Sequence, residues 1–283
     1  MMRIETRREF VMVLKALLIF IACLFVGGSP KNALAMQDLR FEELKPEKNL
    51  TELTLDWKTW YQFAYYRTRF SEEFIGLDAD SKPMEKIAFL RQLASGNFIA
   101  LRLNDPDSRV IYRLAEYRDG IKSITTTTQQ FAQKEIQNTE MEGRTFPHHR
   151  FVDIEGRAFE SQHPEKKVRL YKTWFVRCQA CIEEFPKLNQ LVQEMKHRSD
   201  LEFISLALDE AVDLRKFLEA KPLSYAVIPS MRNFIEHELK TNTYPTHILV
   251  NRHGKISKVS SDIEDMMPAL KRELNMSAQS DKN

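Results

Sequence analysis

Lys167-Val-Arg-Leu-Tyr-Lys-Thr-Trp-Phe-Val-Arg-Cys-Gln-Ala-Cys-Ile-Glu-Glu-Phe-Pro-Lys-Leu-Asn189 is the stretch that decides the fold. Residues 167 to 176 form an apolar-rich run that reads as a strand ending at the cysteines. Beyond them, Ile182, Phe185, Leu188, Leu191, Val192 and Met195 recur at spacings of three and four. That pattern predicts one apolar stripe on an α-helix about five turns long. Cys178 therefore falls where strand hands over to helix. Unpaired backbone N–H groups at a helix start carry partial positive charge, which stabilises a thiolate below the ordinary pKa of about 8.5. Cys181 lies one turn further in and is more buried. Cys178 is thus the attacking sulfur, and Cys181 resolves the mixed disulfide.

Cysteine usage supports a chemical role. The chain has three cysteines, and Cys23 lies in an amino-terminal export signal. Closing a two-residue gap removes little chain entropy, so a lone 178–181 pair is a poor staple for a fold. Two other readings compete. Zinc needs four ligands; His148 and His149 are the available additions, but they show no ligand spacing. A purely structural disulfide is the other.

Moving outward, Leu201 to Leu208 reads as a buried strand, Val212 to Leu218 as a helix, Tyr225 to Ile228 as a short strand and Met231 to Leu239 as a helix. Thr246 to Asn251 and Lys255 to Val259 flank Arg252-His-Gly254, a hairpin signal, and Asp262 to Leu274 reads as a closing helix. His149 to Phe159 reads as a hairpin turning at Gly156. Strands alternating with helices, then a hairpin, imply an α/β domain whose mixed central sheet has helices on both faces. Tyr244-Pro245-Thr246 enters the last buried hairpin. A proline there lacks a ladder donor, and a cis bond after Tyr244 accommodates it.

The preceding segment is of another kind. Residues 51–124 are aromatic-rich (Trp57, Trp60, Tyr61, Phe63, Tyr65, Tyr66, Phe70, Phe74), with a helix opened by Pro83 and strands at 98–103 and 109–114. They read as a small α+β accessory domain with the aromatics as its core. The division is 1–35 signal peptide or membrane anchor, 36–50 linker, 51–124 accessory domain, 125–141 linker, 142–275 redox domain and 276–283 disordered tail.

At 283 residues, 43% apolar and 29% charged, the chain has the composition of a soluble globular protein. A net charge of +2 with interleaved signs gives no case for nucleic acid. At the amino terminus, Arg3, Arg7, Arg8 and Lys15 precede the apolar run from Ala16 to Val26, and Ala33-Leu-Ala35 follows. That is the order of a secretory signal cut after Ala35. An uncleaved anchor, or a lipoprotein signal with lipid on Cys23, are the other two readings. All three place the remaining chain outside the cytoplasm, with membrane attachment through the amino terminus under the last two.

Trp174 to Asn189, together with Thr243-Tyr-Pro-Thr-His-Ile-Leu-Val-Asn-Arg-His-Gly-Lys255, resembles the TlpA/ResA-like thiol–disulfide oxidoreductases of the thioredoxin superfamily. The resemblance covers about residues 143–274 and implies a thioredoxin-like fold with no cofactor beyond a redox-active Cys178–Cys181 disulfide. It makes Cys178 the nucleophile, Cys181 the resolving cysteine, Pro245 the cis-proline facing them, and Glu184 an acidic residue that tunes the cysteines. Thr243, Tyr244, Trp174 and Arg177 are the candidate client-contacting residues, although Trp174 also matches a packing aromatic. Implied partners are protein thiol or disulfide clients and a membrane-bound thiol donor; relatives of this kind prepare apocytochrome c thiols for haem attachment. Two departures stand out. Arg177 replaces the usual Trp, and Ala180 the common Pro. The direction of electron flow stays open between reductase and oxidase or isomerase, and an aromatic-rich binding module on a thioredoxin scaffold is the non-enzymatic alternative.

Overall fold

The computed structural model describes residues 41–161 and 167–280, with side chains to residue 275. The export signal, Cys23 and the extreme carboxy terminus lie outside the described residues. Among the described residues no helix is long and apolar enough to cross a membrane.

The amino-terminal unit contains α1 (Leu50–Leu53), α2 (Trp57–Arg67), β1 (Ile75–Leu77), β2 (Pro83–Met84), α3 (Lys86–Ala94), β3 (Phe98–Arg102), β4 (Ile111–Glu116) and α4 (Lys122–Met141). Its sheet runs β2-β1-β4-β3, with β1 and β4 parallel. Asp56 caps α2 by accepting the Thr59 N–H at 2.8 Å. Trp60 and Phe63 pack against Ile99, Leu101 and Ile124, whereas Tyr65 and Tyr66 on the same helix are exposed. The aromatic run is therefore core on one face only. Pro83 does not open a helix; it lies in β2, opposite Leu77, and α3 begins at Lys86. A sheet edge tolerates a missing donor.

Residues 125–141, read as a linker, are most of α4, a helix of 20 residues. Its buried stripe is Ile124, Thr128, Ala132, Glu135, Asn138 and Met141, at helical spacing but half polar. Each polar member is satisfied: Thr128 Oγ1 donates to the Ile124 carbonyl at 2.9 Å, and Glu135 accepts from Lys86 at 3.0 Å and Asn138 at 3.3 Å. A hydrophobic pattern cannot register a stripe of this kind, and a run of β-branched threonines argues against helix.

The carboxy-terminal unit follows as the hairpin β5 (Arg150–Val152) and β6 (Ala158–Glu160), then β7 (Val168–Trp174), α5 (Gln179–Glu183), α6 (Phe185–Met195), β8 (Leu201–Ala207), α7 (Ala211–Ala220), β9 (Ala226–Ile228), a π-turn (Phe234–Glu238), β10 (Thr246–Val250), β11 (Ile256–Ser260) and α8 (Ile263–Ser280). The sheet order is β11-β10-β7-β8-β9. Strands β7, β8 and β9 are parallel, and β10 and β11 are antiparallel to their neighbours. This is the thioredoxin-like arrangement. Val168, Leu170 and Trp174 of β7 pack with α6, α7 and α8, and Tyr171 packs on the opposite side with Phe146, Phe151 and Phe234. Helix α8 continues to Ser280 instead of giving way to a disordered tail after residue 275.

The two units touch through the apolar end of α4 at Met141 and through polar contacts. Asp265 of α8 accepts from Ser71 and from Arg69 (3.3 Å), and Glu142 accepts from Lys258 and from the Val259 N–H, both at 3.1 Å.

Candidate redox site

All seven residues of β7 are buried, as befits a central strand covered on both faces. The chain leaves the sheet at Phe175, where the Val176 N–H donates to Asp209 at 2.8 Å. Cys178 then takes the cap position of α5; its N–H bonds the Phe175 carbonyl, and its sulfur accepts the Cys181 N–H at 3.3 Å. Cys178 and Cys181 form a disulfide. Cys178 retains 7% exposure and Cys181 none. Cys178 thus keeps the only solvent contact of the pair, and Cys181 is fully enclosed.

The single five-turn helix expected here is two helices. Pro186 has no N–H to give the Ile182 carbonyl, so the chain breaks at Glu184, and α6 restarts with Pro186 in its first turn. The break swings the Glu184 side chain inward. Its carboxylate pairs with Lys172 of β7 and lies 3.1 and 3.2 Å from Nε2 of His247 in β10. Burial alone would raise the Glu184 pKa, but hydrogen bonding and charge from His247 and Lys172 outweigh it and bring it down to about 2. Burial lowers His247, the Lys172 charge adds to that, and Glu184 opposes. Lys172 is likewise lowered by burial against the pull of Glu184. His247, first through its hydrogen bond, and Lys172 through its charge together hold Glu184 ionised. Neither Lys172 nor His247 is evident as a site residue from sequence. The signal was there: a lysine in mid-strand and a histidine in an apolar run are both out of place.

Among the remaining candidates, the Tyr244–Pro245 bond is cis, and Pro245 is buried at the entry to β10. Tyr244 is half-buried; its ring meets Phe175 edge-on, with centroids 5.4 Å apart, and packs against the core containing both cysteines. Thr243 Oγ1 lies 3.2 Å from Thr246 Oγ1, and the Thr246 N–H donates to Thr173. Arg177 is exposed and lines an open groove with Val176, Asp209, Lys216, Phe217 and Lys221. Trp174 is a correction. It is completely buried, edge-on to Phe185 at 5.0 Å, so it packs the core and no client reaches it. His149 is also accounted for: its ring packs on Phe151 and Phe234.

No family model matches the chain. It is 27% identical over 128 residues to the thiol–disulfide oxidoreductase ResA of Halalkalibacterium halodurans, across 43% of this chain and 72% of that protein. Among solved structures, a thiol–disulfide oxidoreductase from Bacteroides fragilis is 18% identical over 46% of this chain and 98% of its own, with a TM-score of 0.42. StoA from Bacillus subtilis is 18% identical over 41% and 87%, with a TM-score of 0.36. A cysteine pair capping the helix after the central strand of this sheet makes the protein a thioredoxin-fold thiol–disulfide oxidoreductase. Within that class, the redox unit is similar to ResA.

Proposed function

We propose that the protein is an extracytoplasmic reductase of protein disulfides. The observation that carries the exchange chemistry is the asymmetry of the pair, with Cys178 keeping 7% exposure and Cys181 none; the titration below decides the direction. In the reduced protein, the Cys178 thiolate attacks a client disulfide. One client sulfur leaves as thiolate and takes up a proton, and a mixed disulfide forms. Cys181 then loses its proton and attacks the Cys178 sulfur. The mixed disulfide breaks, the second client sulfur leaves and is protonated, and Cys178–Cys181 closes. Two electrons have passed to the client, and a dithiol donor at the membrane returns them. The basic, apolar and small-residue order of residues 3–35 supports export, and the groove beside Arg177 offers a lane for the client chain.

The test is a redox titration against glutathione together with insulin reduction. A potential near or below about −270 mV is expected; one near about −120 mV would make the protein an oxidant instead. Equal insulin reduction by wild type and Cys178→Ser would end the enzymatic reading.

A further inference from the structure

Lys172, Glu184 and His247 are far apart in sequence and meet on the cysteine-bearing face of the sheet. Lys172 stands directly across from His247 on β10 and beside Ser205 on β8, and His247 stands across from Ser260 on β11. Ser260, His247, Lys172 and Ser205 therefore form a polar row across four strands, each at most 1% exposed. The neighbours of Lys172 on the same face of β7, Leu170 and Trp174, belong to the core that contains Cys178 and Cys181. Glu184, three residues after Cys181, closes over the row from the break between α5 and α6.

Such a cluster is poor value as a stabiliser. Desolvating a lysine and a carboxylate is costly for each ion, and apolar residues of similar volume often serve stability as well. Buried ionisable groups with charge partners, on the sheet face whose core includes both cysteines, point instead to control of the reaction. A carboxylate near a thiol raises the pKa of that thiol, and a cation beside the carboxylate offsets the effect. The other titratable groups facing the cluster are Tyr225, whose buried hydroxyl feels Glu184, and Asp262, which acts on His247.

We propose that Lys172 and His247 are positioning residues of the redox site: they hold Glu184 stationary and ionised beneath the cysteine pair, so that the field on the Cys181 thiol does not change across the working pH range. This rests on the reading of Cys178 and Cys181 as an exchanging pair. Lys172 supplies the balancing charge, and the His247 ring, donating from Nε2, fixes the carboxylate from the other side. If Lys172 is removed, the balancing proton must come from solvent. His247 takes it up, and its titration enters the working range.

The experiment uses the full chain carrying Cys178→Ser, so that Cys181 alkylation is read alone from pH 5 to 10. The parent should ionise in one step. Adding Lys172→Met should produce a second step and at least a threefold slower rate at pH 8, where His247 is neutral and Glu184 uncompensated. Adding Glu184→Gln to Lys172→Met should restore a single step within twofold of the parent rate. A Lys172→Met profile like the parent's, or a change that persists unreduced in the double variant, overturns the proposal. If Lys172→Met does not fold, NMR titration of the unsubstituted protein decides: the His247 imidazole should titrate below the free-histidine value, and a pKa at or above about 6.5 overturns it. Failure of wild-type insulin reduction would sink the enzymatic reading while leaving these profiles interpretable.

Discussion

The buried imidazole of His247 makes the fold sensitive to acid in a window that can be worked out. Unfolded, the ring titrates near pH 6.5. Folded, burial holds its pKa below that value. Between the two pKa values the unfolded chain binds a proton that the folded chain refuses. Stability is therefore fullest above pH 6.5 and falls as pH drops, by at most about 1.4 kcal/mol per unit. Between pH 8 and pH 5 the ceiling is about 2 kcal/mol. Glu184 acts in the same direction but lower, between about pH 4.3 and its folded value, so it contributes little above pH 5. The perturbation is His247→Phe, which removes the titrating group and keeps a ring in the core. It also removes the hydrogen bond to Glu184, so it lowers stability at every pH; the informative quantity is the difference in slope. Urea unfolding at pH 8.0, 6.5 and 5.0 should show the variant losing less stability than wild type on acidification, by up to that ceiling. Parallel losses in the two proteins would refute the placement of a neutral imidazole in the core.

Other consequences are equally direct. Cys181→Ala should retain attack by Cys178 and accumulate client mixed disulfides on non-reducing gels, whereas Cys178→Ser should accumulate none. The Cys178 thiol of the reduced protein should ionise below the free-cysteine value of about 8.5 in a pH titration of alkylation, and a higher value would contradict its placement at a helix start. Trp174→Ala, which removes a completely buried indole, should cost about 3–5 kcal/mol in chemical denaturation, and a loss under about 1 kcal/mol would mean the site collapses around it. Lys86→Met leaves Glu135 buried without its ammonium partner and should destabilise by about 1–3 kcal/mol; a neutral outcome would remove the ion pair from the list of interactions holding α4 to α3.

Much of the redox unit was legible because its signals are apolar and periodic. Leu201 to Leu208 and Thr246 to Val259 could be read as strands from side-chain pattern alone, and the cysteines marked the strand-to-helix junction. Legibility failed where burial is polar. Helix α4 hides Thr128, Glu135 and Asn138 on its inner face, so the segment looked like a linker until tertiary partners for those groups were seen. Pro186 was visible in the sequence, but that it would split the helix and turn Glu184 inward depends on where Lys172 and His247 wait. Likewise, Trp57, Tyr65 and Tyr66 carry the same aromatic character as Trp60 and Phe63, and only packing separates exposed from buried.

The inward-facing residues of α4 carry one more implication. Near its start, Ile124 packs in the aromatic core of the amino-terminal unit, and at its end Met141 packs beside Phe146 and Tyr171 against the central sheet of the redox unit. One helix is thus a shared wall of two cores, and neither can melt without taking a packing partner from the other. Mass action then works through the wall: whatever binds and steadies the folded amino-terminal unit raises the melting point of the thiol-bearing unit as well. Occupancy of the first unit becomes a setting for the durability of the second.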